Sequence, residues 1–108
     1  MTDPTSRKTI HTGTDMTEKQ IEILHKAIQT FGKNSQVDKA IEEMAELTKE
    51  LLKERQNKGS AEHIMEELAD VLIMMYQLMM IFGITDYDHC VDYKIKRLER
   101  RLNKIGGD

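Results

Sequence analysis

From residue 16 onward, apolar positions recur at helical spacing. Thr17 followed three residues later by Gln20 has the form of a capping box. A first helix is expected from there to Phe31, stopped by Gly32. "GKNSQ" reads as a turn, with Ser35 as the next cap. A second helix is expected over about 36–55, with an apolar seam at Val37, Ile41, Met44, Leu47 and Leu51. "NKGS" breaks it. Ser60 then caps a third helix from Ala61 to Phe82, ended by Gly83. Thr85 is the expected cap of a fourth, which runs to about Lys104 with its seam at Val91, Ile95, Leu98, Leu102 and Ile105. No stretch alternates like a strand. Four helices with short links predict an all-α, four-helix bundle-like protomer over 16–108. The polar, aperiodic residues 1–15 are expected to form a disordered tail.

The third helix stands apart. From Val71 to Phe82 it is apolar nearly all round, so more than one face must be covered. One short bundle cannot cover them all, and a homo-oligomer, dimer or tetramer, is expected. Five methionines on this helix (Met65, Met74, Met75, Met79, Met80) suit adaptable packing.

Composition narrows the class. The chain has 108 residues, 39% hydrophobic and 32% charged, which fits one soluble helical domain. A net charge of −3 does not mark a partner for nucleic-acid polymers. The single cysteine, Cys90, excludes an internal disulfide and fits a reducing cytoplasm; a small buried or half-buried thiol is expected. Residues 1–15 lack the apolar core of a signal peptide, and 71–84 is too short to span a bilayer. A cytoplasmic protein without membrane contact is expected.

The charges carry the chemistry. Glu43 and Glu46 each precede a seam residue of the second helix, and Glu67 and Asp70 do the same on the third. Residues three apart share a helix face. If the two helices are antiparallel neighbours, the four carboxylates converge and repel. A hard divalent cation such as Mg2+, bound by oxygen, resolves that repulsion, whereas the ligand types argue against zinc. A lone ExxE is ordinarily solvated surface, and Glu42 and Glu50 read that way. On the fourth helix Lys94, Arg97, Arg101 and Lys104 form one cationic stripe, suited to polyphosphate.

"EEMAEL" followed by "EELADVL" resembles the MazG-like nucleotide pyrophosphohydrolases of the all-α NTP pyrophosphatase superfamily. The family pattern is ExxE, a spacer, then ExxD. Here it is Glu43 to Glu46, twenty intervening residues, then Glu67 to Asp70. "KIKRL" is similar to the family's basic element and places Lys94 and Arg97. Where family members often carry an asparagine just before it, this chain has Asp92. The resemblance covers roughly 31–102. It implies hydrolysis of a nucleoside triphosphate to the monophosphate and pyrophosphate with Mg2+, for which Mn2+ can substitute. It further implies that Glu43, Glu46, Glu67 and Asp70 hold metal and that Lys94 and Arg97 hold phosphate. A carboxylate would deprotonate the attacking water, and Glu46 is taken for that role with Glu42 as the alternative.

Two other readings compete. A ferritin-like di-iron bundle would use Glu22 with His25 and Asp86 with His89, but it leaves the basic stripe unused. A non-enzymatic helical interaction or nucleotide-binding module would explain the apolar third helix but not the paired acids.

Overall fold

The computed structural model describes residues 16–106. They form four helices, α1 (Glu18–Phe31), α2 (Lys33–Arg55), α3 (Ala61–Ile81) and α4 (Tyr87–Ile105). No strand occurs among the described residues. The expected tail, 1–15, and the last two residues lie outside them.

Local chemistry explains most of the boundaries. Thr17 N donates to Gln20 Oε1 at 2.9 Å, and Gln20 N donates to Thr17 Oγ1 at 3.1 Å, completing the capping box. Ser60 Oγ accepts from His63 N at 3.1 Å and caps α3. Two expected caps are corrected. α2 starts at Lys33, not after Ser35, because Gly32 at φ +93° reverses the chain alone. No turn remains for Ser35 to close. Likewise the N-cap of α4 is Asp86, not Thr85, and no side chain bonds there.

α2 packs along α3, and α1 lies against both. α4 packs against none of them, and every residue on it is exposed. The all-α chain of four helices is as expected; within it three helices associate and the fourth leaves them. Gly83, at φ +63°, begins the link that takes the chain out of α3. The Cα radius of gyration, 17.1 Å, reflects this departure. A compact domain of this length would have about 13 Å. Cys90 goes with α4 and is exposed, not buried.

The inward face of α2 only partly overlaps the one its apolar periodicity marks, sharing the half-buried Val37 and Leu47. Gln36 and Ala40 are buried, and Glu43, Leu47 and Glu50 are half-buried. These positions repeat every three or four residues and face α3. Of the expected seam, Ile41, Met44 and Leu51 are 59%, 44% and 46% exposed. Leu24, Ala40 and Met74 are the buried apolar residues among those described. The chain thus turns carboxylates inward and leaves apolar side chains bare. No helix among the described residues is long and apolar enough to cross a membrane.

Candidate metal centre

Glu43 on α2 and Glu67 and Asp70 on α3 each offer an oxygen, and these oxygens lie within 4.8 Å of one another. At the far end of the same face, Glu50 Oε1 lies 3.9 Å from His63 Nδ1. Position 43 therefore meets 67 and 70, while 50 meets 63. The helices run antiparallel, as the convergence of the two acidic pairs requires.

Three like charges at this range are costly unless something offsets them. Part of the offset is Lys39. Its Nζ is 3.1 Å from Glu43 Oε2 and 4.0 Å from Glu42 Oε1. The hydrogen bond to Glu43 and that residue's charge raise the Lys39 pKa, with a smaller contribution from Glu42. Glu67 has no such relief. Burial first, then the charges of Asp70, Glu43, Glu46 and Glu50, push its carboxyl above the ordinary value. Its Oε1 is buried and has no hydrogen-bond partner.

These facts test whether a divalent cation fits. The donor set is all carboxylate oxygen, which is what Mg2+ takes. The unpartnered Glu67 oxygen is the kind of atom a cation would satisfy. The residues fit the group.

Of the four expected ligands, the structure brings three together. Glu46 stands outside the group of three, exposed on α2, although its charge reaches Glu67. Lys94 and Arg97 lie on α4, away from the carboxylates' two helices, and neither forms an ion pair among the described residues. Asp92 binds Lys96 at 3.1 Å, one turn along the same helix. Glu22, His25, Asp86 and His89 enter no metal-binding group among the described residues.

One residue of this region was read otherwise from the sequence, and a second, Lys39, was not singled out there. Glu50 is not free surface: its side chain is 12% exposed, with Lys53 Nζ 3.3 Å from Oε2. It lies seven residues after Glu43, two turns along one face, which is the signal that could have found it. Lys39, four residues before Glu43, is the natural partner for it on a helix. A scan against protein-family models, a search of curated proteins and a search of solved structures each find no match to this chain.

Proposed function

We propose that this protein hydrolyses a nucleoside triphosphate to the monophosphate and pyrophosphate, working as a homo-oligomer. One observation carries the reading: Glu43, Glu67 and Asp70 converge within 4.8 Å across α2 and α3, with a buried Glu67 oxygen left unpartnered. A buried carboxylate oxygen without a partner, set among two further carboxylates, is an arrangement that a cation would satisfy.

Glu43, Glu67 and Asp70, joined by Glu46, would hold Mg2+, with Mn2+ able to substitute. When bound, the ion neutralises phosphate oxygens and polarises the anhydride. The chain's own residues supply the rest. Glu46, exposed beside the cluster, accepts a proton from the attacking water. The water oxygen bonds to the α-phosphorus, the bond from that phosphorus to the bridging oxygen breaks, and pyrophosphate leaves. Lys94 and Arg97 donate N–H bonds to phosphate oxygens, positioning the chain of phosphates for this displacement.

The bare apolar side chains support assembly. α4 exposes Val91, Ile95, Leu98 and Leu102 along one stripe, and α2 exposes Ile41, Met44 and Leu51. Among the described residues only Leu24, Ala40 and Met74 are fully buried apolar side chains, a small core for a chain of this length. Lys94 and Arg97 lie away from the carboxylates of their own chain, so in this reading they would have to serve the carboxylates of a second copy.

The test is a screen of ribo- and deoxynucleoside triphosphates with Mg2+, products being separated by chromatography. Release of monophosphate and pyrophosphate from at least one is expected. Metal-dependent binding with no turnover of any would favour a nucleotide-binding module instead.

A further inference from the structure

Along α4 the exposed apolar residues are Val91, Ile95, Leu98, Leu102 and Ile105. Their steps alternate between four and three, which is the 3.5-residue repeat of a coiled coil. In heptad terms Ile95 and Leu102 take position a, and Val91, Leu98 and Ile105 take position d. The flanking e positions are Asp92 and Glu99, and the flanking g positions are Lys94 and Arg101. A helix that lies on a globular body carries further apolar residues at e or g, because its covered face is broad. A stripe confined to a and d is the narrow seam between two helices. The stripe on α4 therefore fits one helix of its own kind better than the broad surface of α2 and α3. Asp88 would extend position a by one step, but it lines a cleft with Leu72, Met75 and Tyr76 of α3. The seam begins after it, at Val91.

Charge sets the direction of pairing. Across this seam every e residue is acidic and every g residue is cationic. In a parallel pair, g faces the e position of the next heptad on the other helix. Lys94 then meets Glu99 of the partner subunit, once on each side of the seam. In an antiparallel pair, g faces g and e faces e. Cations would then meet cations and carboxylates would meet carboxylates in any register. Neither Lys94 nor Glu99 forms an ion pair within its own chain among the described residues, whereas Asp92 is held by Lys96 at 3.1 Å. Isoleucine at a with leucine at d, as at Ile95 and Leu98, is the two-stranded choice; Leu102 and Ile105 invert it in the last turn.

We propose that α4 pairs in parallel with α4 of a second copy, as a two-stranded coil with Lys94 against Glu99 of the partner subunit. The proposal rests on the reading of this chain as a homo-oligomer and needs no hydrolysis. Both sets of α1, α2 and α3 then stand at the same end of the coil. Arg97, at position c, lies off the seam and stays free. Lys94 is exposed beside the seam, and an ammonium has three donors, so its pair with Glu99 leaves donors for phosphate.

The test uses the full chain carrying Cys90→Ser, because that exposed thiol would otherwise cross-link on its own. Val91→Cys and Ile105→Cys are then made separately in this background. Both positions are exposed, and circular dichroism should show unchanged helix. Mild oxidation should convert each variant almost wholly to a covalent dimer on a non-reducing gel. No antiparallel register brings both positions to their counterparts; centred on Leu98, either pair would lie about 21 Å apart. Charge reversal gives a second measurement without a new thiol. Lys94→Glu and Glu99→Lys should each raise the dissociation constant of the dimer, roughly two- to thirtyfold for two exposed pairs, and the double variant should recover most of the loss. Sedimentation reads the change. Cross-linking at both positions, with recovery in the double variant, supports the parallel coil. An oligomeric wild type in which either cysteine fails to cross-link, or in which Lys94→Glu tightens association, overturns the coil and leaves the homo-oligomer standing. A monomeric wild type overturns both.

Discussion

Lys39 Nζ lies 3.1 Å from Glu43 Oε2, so an ammonium beside the acidic group is engaged with one of its three members. The lysine is half exposed and four residues upstream on the same helix. It partly neutralises the site before any cation arrives, and it competes with that cation for Glu43. Lys39→Met should therefore tighten Mg2+ binding, by about 1.5- to 5-fold on the scale of an exposed ion pair. Isothermal titration with Mg2+ alone checks this. Weaker binding in the variant would show that Lys39 supports the cation site and does not compete with it.

Glu67 makes the pH prediction. Its pKa is raised above the ordinary 4.5, by burial first and by neighbouring carboxylates second. The folded state therefore holds the proton more tightly than the unfolded chain does. Without metal, stability is greatest below pH 4.5 as far as this group is concerned, and it falls as pH rises through the raised value. Mg2+ affinity should climb over the same interval, because the cation needs the ionised form. Thermal melts of the metal-free protein across that range should show the fall, and Glu67→Gln should flatten it.

The same substitution should abolish triphosphate hydrolysis while leaving the helical circular dichroism intact. The amide cannot replace the lost charge, but it does relieve the repulsion that Asp70, Glu43 and Glu46 impose. A higher melting temperature in the absence of metal is expected. Full activity would remove Glu67 from the site, and loss of helix would assign it a structural role.

The helices were legible in the sequence because their signals are local. Thr17 with Gln20 and Ser60 before α3 each satisfy backbone donors within one turn. The start of α2 was not, because nothing in "GKNSQ" announces that Gly32 alone would reverse the chain at φ +93°. Glu43, Glu67 and Asp70 were legible as a group, since spacing by three on two antiparallel helices determines which residues meet. The inward face of α2 was misread for a physical reason. Apolar periodicity reports which positions prefer cover, and it is silent on which neighbour provides it. Ile41 and Met44 show the preference, yet Ala40 and Glu43 face α3. The same limit applies to α4, whose seam is regular and whose protomer covers none of it.

The basic stripe yields a comparison of three variants. Arg97 forms no ion pair among the described residues, whereas Lys96 is held by Asp92 at 3.1 Å. If Arg97 grips phosphate, Arg97→Ala should lower kcat/KM by roughly ten- to a hundredfold, the effect of losing a charge-assisted contact of about 1.5–3 kcal/mol. Arg97→Lys should recover only part, because an ammonium lacks the two-pronged geometry. Lys96→Ala should be near neutral. Steady-state kinetics with the best triphosphate decides. Equal damage from Lys96→Ala would mean that the stripe is out of phase with the phosphates.

Assembly makes the sharpest use of α4. Leu98 is 45% exposed and Ile95 57% exposed, on a helix that packs along no other helix of its own chain. In an isolated protomer of 12.5 kDa, a charge at either position would be an ordinary surface change, within about 0.5 kcal/mol. Buried against a second copy, each side chain contributes about 1.5–3 kcal/mol, and a carboxylate there adds an unpaired buried charge. Leu98→Asp should therefore split the oligomer and lower the melting temperature together, while Lys96→Ala on the same helix does neither. Light scattering at micromolar concentration, run beside thermal melts, reads both. Wild-type protein should give a multiple of 12.5 kDa, and the Leu98→Asp variant a smaller species. A stable wild-type monomer, indifferent to aspartate at position 98, would defeat the assembly. It would also require α4 to fold back before Lys94 and Arg97 could reach phosphates held by Glu43, Glu67 and Asp70.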